Sequence, residues 1–327
     1  STSFPGHNCE FHVWKSRPIR AAIEKMKGRV IPRPKNLIEN HWKVLANLDL
    51  VLCSDFYGDH VLRLRGNSHK PLVAFGFHGA GDGAYGFKAQ LGTYDYLLLS
   101  GDKVKQRLLE SKVITEKQGL LVGYPKFDLV DLQPKLKFFD NDRPTVLYNP
   151  HFKADLSSWH LWGLKVLDWF ASHPEYNLIF APHFNLFKKH KNSLQSAVLK
   201  SYSNCPNIRL DLGSYYSVDM SYTLNSDLYL GDVSSQVYEF LVHPRPCVFL
   251  NAHGIEHWQG DENYKHWHYG QVVEDMDQLE STLKSGLQNN NHLEVQTKGM
   301  EETFYSMDGK AGKRAAEALL QVLKNEG

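Results

Sequence analysis

A histidine and several glycines stand together directly after an apolar run near the start of the sequence. The segment Phe77–Gly86 reads FHGAGDGAYG. Glycines let the backbone come close to a ligand and present N–H groups to phosphate. An imidazole titrates near working pH, so His78 is a candidate general base; the competing interpretation is a structural turn. The candidate ligand contacts in this loop are Gly79, Gly81, Asp82 and Gly83.

Two more histidines follow apolar runs in the middle of the chain, each within the sequence Pro-His-Phe. They are His151 and His183. Proline ends a strand, so both histidines are expected in loops where parallel strands finish. If the strands are neighbours, the loops line one wall and each imidazole can donate to a phosphate oxygen. A loop histidine satisfied by the fold is the alternative for either one.

A strand-to-helix junction further on offers hydroxyl groups and a helix start. The segment Ser226–Glu239 reads SDLYLGDVSSQVYE. Ser234 or Ser235 is expected to cap a helix whose N-terminal N–H groups favour an anion. This predicts a diphosphate site, with Glu239 one turn on at a ribose diol. A plain capped helix is the alternative.

Two other motifs carry weaker signals. In Gly123–Asp128, Pro125 fixes a turn and Asp128 is expected to cap the adjoining turn. The histidines around His253–His257, with His266 and His268, match no zinc spacing, since H-E-x-x-H is absent. An ordinary polar loop is favoured there, and no metal site is predicted.

Short continuous apolar runs alternate with helical patterns along the chain, which predicts an α/β fold with parallel strands buried on both faces. The predicted strands are Leu48–Cys53, Pro71–Phe77, Tyr96–Leu99, Leu120–Val122, Thr145–Tyr148, Asn177–Ala181, Ile208–Leu210, Leu228–Leu230 and Cys247–Leu250. The predicted helices are Asp102–Ser111, Leu161–Ala171, Ser234–Val242, Gln278–Leu287 and Lys310–Lys324.

The charged segment Asp131–Pro144, with two prolines, separates two series of strands. We therefore expect two Rossmann-like domains, 1–142 and 143–327, facing across a cleft. The last helix is a candidate for packing back on the first domain.

Charge and composition narrow the function classes. With 37 basic and 36 acidic residues in 327, the net charge is +1, so no basic field points to nucleic acid. Apolar runs are too short to span a bilayer and no secretory signal is evident, which predicts a cytoplasmic protein. The basic segment 15–35 is the candidate contact with the inner membrane face, against a solvated helix face. Four scattered cysteines predict buried free thiols.

Taken in order, the His-Gly loop, G-x-P-x-x-D, the Pro-His loop and S-D-x-x-x-x-D-x-S-S-x-x-x-E resemble the CDP-glycerol glycerophosphotransferase family, the teichoic-acid polymerase and primase group. The resemblance covers about residues 70–250. It implies a glycosyltransferase B fold in which the first domain holds the acceptor and the second the nucleotide donor. It also implies that His78 is the base for an acceptor hydroxyl and that His183 lies near the donor diphosphate. It further implies that Ser234 and Ser235 bind phosphates, and that Asp232 and Glu239 occupy family positions next to this serine pair.

The expected activity is transfer of glycerol phosphate or a sugar from a nucleotide-diphosphate donor to a polyol-phosphate, glycan or lipid-linked acceptor. The donor is a substrate, and no cofactor or metal is expected. Three alternatives stay open. They are a glycosyltransferase using a CMP- or UDP-sugar for capsule or lipopolysaccharide, an enzyme like UDP-N-acetylglucosamine 2-epimerase, and a polymer-binding protein with a decayed site.

Overall fold

This computed structural model describes residues 10–13, 29–32, 38–77, 79, 87–187 and 199–326. The chain divides into two compact units. The first unit comprises Ser1–His78, Phe87–Asp128 and Thr303–Gly327, and the second comprises Gly79–Gly86 and Leu129–Glu302. Two short strands near the start, β1 (Glu10–Val13) and β2 (Arg29–Pro32), pair in parallel.

The first unit is built on a four-stranded parallel sheet in the order β3-β4-β5-β6. Its strands are β3 (Leu50–Cys53), β4 (Leu72–Gly76), β5 (Tyr96–Leu99) and β6 (Gly119–Leu121). Its helices are α1 (Ile38–Leu45), α2 (Gly58–Arg65) and α3 (Asp102–Glu110), with 3-10 turns at Ala89–Thr93 and Pro125–Leu132.

The second unit contains a six-stranded parallel sheet in the order β12-β11-β10-β7-β8-β9. Its strands are β7 (Thr145–Asn149), β8 (Asn177–Phe180), β9 (Ile208–Leu210), β10 (Leu228–Gly231), β11 (Cys247–Leu250) and β12 (Gln271–Val273). Nearly every residue of β7, β8, β10 and β11 is buried, because helices cover both faces of a parallel sheet.

Helices α4 to α9 follow in chain order. They are α4 (Leu164–Ser172), preceded by a π-helical turn at Trp159–Gly163, α5 (Ser221–Leu224), α6 (Gln236–Phe240), α7 (Leu279–Gln288), α8 (Leu293–Thr303) and α9 (Ala311–Glu326). Short 3-10 turns lie at Tyr215–Ser217, Trp258–Gly260, Glu262–Tyr269 and Met276–Gln278.

Helix α9, the last in the chain, packs within the first unit. Its Ala315 and Leu319 join Ala74, Leu98 and Val122 in one buried cluster. Asp128 accepts hydrogen bonds from the backbone N–H groups of Ala311 and Gly312, at 2.9 and 2.7 Å. The carboxylate therefore caps a helix 183 residues further along the chain, whereas the sequence pattern predicted a cap on the adjoining turn.

All the strands predicted from apolar runs form, with ends shifted by at most two residues. Strands β1, β2 and β12 were not predicted; β12 begins with a glutamine and contains only two apolar residues. Cys53 and Cys247 are buried free thiols, as predicted, whereas the free thiol of Cys205 is only half-buried and Cys9 lies outside the described residues. Within the described ranges, no helix is both long and apolar enough to cross a bilayer.

Candidate functional site

Strands β7 and β10 form the point where the larger sheet changes direction. From β7 the chain adds β8 and β9 on one side, and then returns to add β10, β11 and β12 on the other. Loops leaving neighbouring strands in opposite directions open a crevice at the carboxyl ends of those strands, where open α/β sheets bind ligands. The segments that follow Asn149 and Gly231 lie at this edge.

Asp232, the first residue after β10, is buried at this edge, and its carboxylate accepts four hydrogen bonds. Its Oδ1 accepts from the N–H groups of His151 and Val233, at 2.9 and 2.7 Å. Its Oδ2 accepts from the backbone N–H and the hydroxyl of Ser158, at 2.6 and 2.8 Å. Burial raises the pKa of Asp232, and these hydrogen bonds offset part of the rise. The carboxylate therefore fixes the loop that carries His151.

The backbone carbonyl of Asp232 is held as well. His266 Nε2 and Trp267 Nε1 lie 3.1 and 3.0 Å from that oxygen. His253 Nε2 lies 3.1 Å from the carbonyl oxygen of Ser157. Both histidines therefore contact backbone oxygens, but His266 is buried in the 3-10 turn Glu262–Tyr269, whereas the sequence predicted an ordinary polar loop. Among the residues the structure describes, no group of three or more His, Cys, Asp or Glu side chains is arranged to hold a metal ion.

The two Pro-His-Phe loops come together, as the sequence predicted for neighbouring strands. Strands β7 and β8 pair directly, and the ring centroids of His151 and His183 lie 5.9 Å apart. The ring of Phe152 contacts both imidazoles, with centroids at 4.6 and 4.5 Å. The backbone N–H of His183 donates to the carbonyl of Pro150 at 3.1 Å, which ties the loops to each other.

Both imidazoles are oriented by their own loops. The Nδ1 atom of His151 accepts the N–H of Lys153, and that of His183 accepts the N–H of Asn185, each at 3.2 Å. A neutral ring whose Nδ1 accepts carries its proton on Nε2. Burial, followed by the nearby His183, lowers the pKa of His151 to about 4. His151 is therefore a neutral Nε2–H donor at physiological pH.

The neighbouring serines Ser234 and Ser235 differ in environment. Ser234 is buried, and its hydroxyl donates to Asn149 Oδ1 at 2.9 Å. Ser235 is exposed and precedes α6 without a side-chain capping bond. Helix α6 has five residues, shorter than the predicted Ser234–Val242, so fewer aligned peptide dipoles add at its N-terminus.

Gly79 of the predicted glycine loop lies beside Ser235 within the second unit. A Cβ atom built on this glycine would lie 3.1 Å from Ser235 Oγ. Glu239 is buried in α6. His78, Gly81, Asp82 and Gly83 lie outside the described residues, as does most of the basic segment 15–35.

Sequence reasoning missed Asn149 and Ser158, whose side chains bond Ser234 and Asp232. Ser158 lies in a connection with no apolar period to place it. For Asn149 a signal existed, because a polar residue ends an otherwise apolar strand just before Pro150. Such a residue is buried at the carboxyl edge and must find hydrogen-bond partners there.

Comparison with known families gives one extended match. The family model described as CDP-Glycerol:Poly(glycerophosphate) glycerophosphotransferase matches residues 61–321, which is more than half of the chain and includes parts of both units. No curated relative matches the sequence.

Several solved structures share the fold. One is the wall teichoic acid polymerase TagF, with 14% identity over 98% of this chain and 90% of that chain, at a TM-score of 0.65. A TagF variant soaked with CDPG has 16% identity over 91% and 78%, at a TM-score of 0.66. UDP-GlcNAc 2-epimerase from Neisseria meningitidis, bound to UDP-GlcNAc, has 14% identity over 93% and 88%, at a TM-score of 0.63. The predicted α/β fold of glycosyltransferase B type is thereby confirmed.

Proposed function

The chain belongs to the CDP-glycerol:poly(glycerophosphate) glycerophosphotransferase family, and from this membership we propose that it transfers glycerol phosphate from CDP-glycerol to a polymer hydroxyl group. The family match carries the proposal, because it includes both the strands of the crevice and the segments that bear its polar side chains. The enzyme is a transferase of cell-wall polymer synthesis, and its nucleotide donor is a substrate.

The reaction forms one bond to phosphorus and breaks another. The acceptor oxygen attacks the phosphorus that carries glycerol, and the bond from this phosphorus to the bridging oxygen breaks. Cytidine monophosphate leaves with the bridging oxygen, and the acceptor proton passes to a base. Catalysis of such a transfer consists mainly of positioning and of stabilising charge on the phosphate oxygens.

The crevice side chains suit the donor diphosphate. His151 and His183 place two imidazoles side by side, and each carries its proton on Nε2 when neutral. Ser235 adds an exposed hydroxyl at the same edge of the sheet. These groups can donate hydrogen bonds to the departing phosphate, where donors fixed in advance stabilise the developing charge. Glu239 is the candidate for the ribose diol.

We assign the base to His78. Proximity along the chain supports this, since His78 is bonded to Gly79, whose backbone lies beside Ser235. Gly81, Asp82 and Gly83 belong to the same loop and are proposed to complete the contacts with substrate. A general base of this kind contributes about 10²- to 10⁴-fold to the rate.

Release of cytidine monophosphate from CDP-glycerol, with a short poly(glycerol phosphate) as acceptor, tests the function. His78→Ala should lower kcat by at least about 100-fold while the Kd for CDP stays within twofold. His160→Gln, at an exposed histidine of the second unit, is the control and should leave kcat unchanged. Unchanged turnover by His78→Ala contradicts the base assignment.

The donor class is tested by replacing the substrate. Turnover of a CMP- or UDP-sugar with an acceptor, in place of CDP-glycerol, would instead indicate a glycosyltransferase. Turnover of UDP-N-acetylglucosamine alone would indicate an epimerase. Absence of nucleotide binding at millimolar concentration would indicate a polymer-binding protein.

Two further parts of the proposal concern a metal and the membrane. We propose that transfer needs no metal, because the imidazole and hydroxyl donors provide the charge stabilisation; excess EDTA should then leave kcat unchanged.

We also propose that segment 15–35 contacts an anionic membrane surface through its eight basic residues. Cosedimentation with vesicles containing phosphatidylglycerol, but not with phosphatidylcholine vesicles, tests the membrane contact.

A further inference from the structure

The proton of the Ser234 hydroxyl and one of its two lone pairs are engaged by the protein. It donates to Asn149 Oδ1 at 2.9 Å and accepts the N–H of Gln236 at 3.3 Å. A serine hydroxyl has a single proton to donate. A phosphate oxygen can only accept, so Ser234 has no proton left for it in this arrangement.

The orientation of the Asn149 amide is fixed by its other contact. Its Nδ2 donates to the backbone carbonyl of Ala181 at 2.6 Å. A carbonyl oxygen can only accept, so the amide nitrogen must face Ala181 and the amide oxygen must face Ser234. Tyr229 also directs its hydroxyl at Asn149 Oδ1, at 3.4 Å. Asn149 is 1% exposed, so water does not compete for these groups.

Asn149 thus joins the carboxyl ends of three neighbouring strands. It is the last residue of β7, it binds the segment after β10 through Ser234, and it binds the segment after β8 through Ala181. Ala181 is followed by Pro182 and His183, so the same contact holds the base of the His183 loop.

We propose that Asn149 is a positioning residue. It accepts the hydrogen bond of the Ser234 hydroxyl, so that Ser235 is the serine that contacts the donor diphosphate. This inference rests on the proposed function. From the sequence, the two serines were expected to be equivalent phosphate ligands. Under this proposal, Ser234 is a buried structural residue and Ser235 donates a hydrogen bond to the ligand. Ser235 fits the second role, because its side chain is exposed and makes no capping bond.

Asn149→Asp tests the positioning role through pH. The carboxylate would place a negative oxygen against the Ala181 carbonyl, whereas the protonated acid can donate there as the amide does. We expect the variant to bind CDP at least tenfold more weakly than the wild type at pH 8, and the ratio of the two Kd values to approach 1 as the pH falls towards 5. Loss of fold alone would not recover on acidification.

Asn207→Asp is the matched control in the same unit. Asn207 is 2% exposed and donates to two backbone carbonyls, those of Phe170 and Tyr176, at 2.8 and 2.9 Å. It lies before β9, at the opposite end of the sheet, so its variant should show a Kd ratio near 1 at each pH. An Asn149→Asp variant that binds CDP normally at pH 8, or an equal effect of Asn207→Asp, overturns the proposal.

Alanine variants of the two serines separate their roles. Ser235→Ala should raise the Kd for CDP about tenfold, as expected for one lost hydrogen bond to a charged group, with an unchanged urea midpoint. Ser234→Ala should lower the urea midpoint, and after Asn149→Ala it should have no further effect on that midpoint. The reverse pattern of CDP binding in the two serine variants, or additive unfolding effects of Ser234→Ala and Asn149→Ala, contradicts the proposal.

The two readouts also separate this inference from the proposed function. Absence of CDP binding by the wild type overturns the proposed function and, with it, the role of Ser235. The unfolding measurements need no nucleotide. They test the bond between Asn149 and Ser234 whether or not the wild type binds CDP.

Discussion

The two ends of the larger sheet both contain buried polar side chains, but the partners of these side chains differ. At the amino end, Asn207 and Arg245 bind backbone carbonyls. At the carboxyl end, Asn149 and Asp232 bind the hydroxyl of Ser234 and the backbone N–H of His151. Similar hydrogen bonds therefore complete secondary structure at one end and orient the candidate ligand-binding groups at the other.

We therefore expect the polar side chains at the amino end to affect stability alone, and those at the carboxyl end to affect both stability and ligand binding. A change at the amino end leaves carbonyl groups without partners and costs folding energy, but we expect the candidate ligand-binding groups to stay in place. A change at the carboxyl end costs folding energy and also displaces groups that face the crevice. Measuring urea unfolding and the Kd for CDP on the same variants therefore tests whether the amino end affects stability alone.

The largest loss of stability is expected from Arg245→Met. The guanidinium is largely buried over the ring of Phe240, at 4.0 Å, and donates to carbonyls including those of Thr223 and Ser226. Burial lowers its pKa to about 10, so it stays charged at neutral pH. Removing it should lower the unfolding free energy by on the order of 4 kcal/mol, because several buried carbonyls lose their donor.

Urea unfolding and the Kd for CDP, measured on folded protein, check this result. Arg143→Met is the control, since that exposed side chain donates to one carbonyl, that of Pro174, and should cost less than about 1 kcal/mol. A tenfold change in the Kd for CDP in Arg245→Met would show that the amino end of the sheet also affects the proposed donor site, and would contradict this expectation.

A smaller, pH-dependent effect is expected from His151→Gln. The pKa of His151 falls from 6.5 to about 4 in the folded protein. Below pH 6.5 the unfolded chain therefore binds a proton that the folded protein binds only near pH 4. The imidazole consequently costs stability as the pH falls through this window, by about 3 kcal/mol in total.

Urea unfolding at pH 7 and pH 4 checks the sign. The wild type should lose more stability than His151→Gln between these two values, by about 3 kcal/mol. An equal loss in both proteins would show that the His151 imidazole is protonated as readily in the fold as in the unfolded chain, and would contradict its assignment as a neutral donor.

The smallest effect is expected from Asp128→Ala, at the carboxyl side of the smaller sheet. The variant removes the cap of α9 and should lower the unfolding free energy by about 1 kcal/mol, with the Kd for CDP unchanged. Asp140→Ala provides a control at another acidic residue in the exposed segment before β7. A weaker affinity for CDP in Asp128→Ala would show that this family motif does more than hold the last helix.

The strands could be predicted from the sequence because burial on both faces leaves a continuous apolar run, as in Cys247–Leu250. The meeting of His151 and His183 could be predicted for a related reason, since parallel neighbouring strands end at one edge. Contacts between distant segments left no local signal. The bond from Asp128 to α9 and the bond from Ser234 to Asn149 therefore became visible only in the structure.

The most direct test of the proposed donor site is a crystal structure of the His78→Ala variant with CDP-glycerol. We predict diphosphate oxygens within hydrogen-bonding distance of Ser235 Oγ and of at least one Nε2 atom of His151 and His183, with the bond from Ser234 to Asn149 intact. A diphosphate held by Ser234 in place of Ser235, or bound at the amino end of the sheet, would contradict this site.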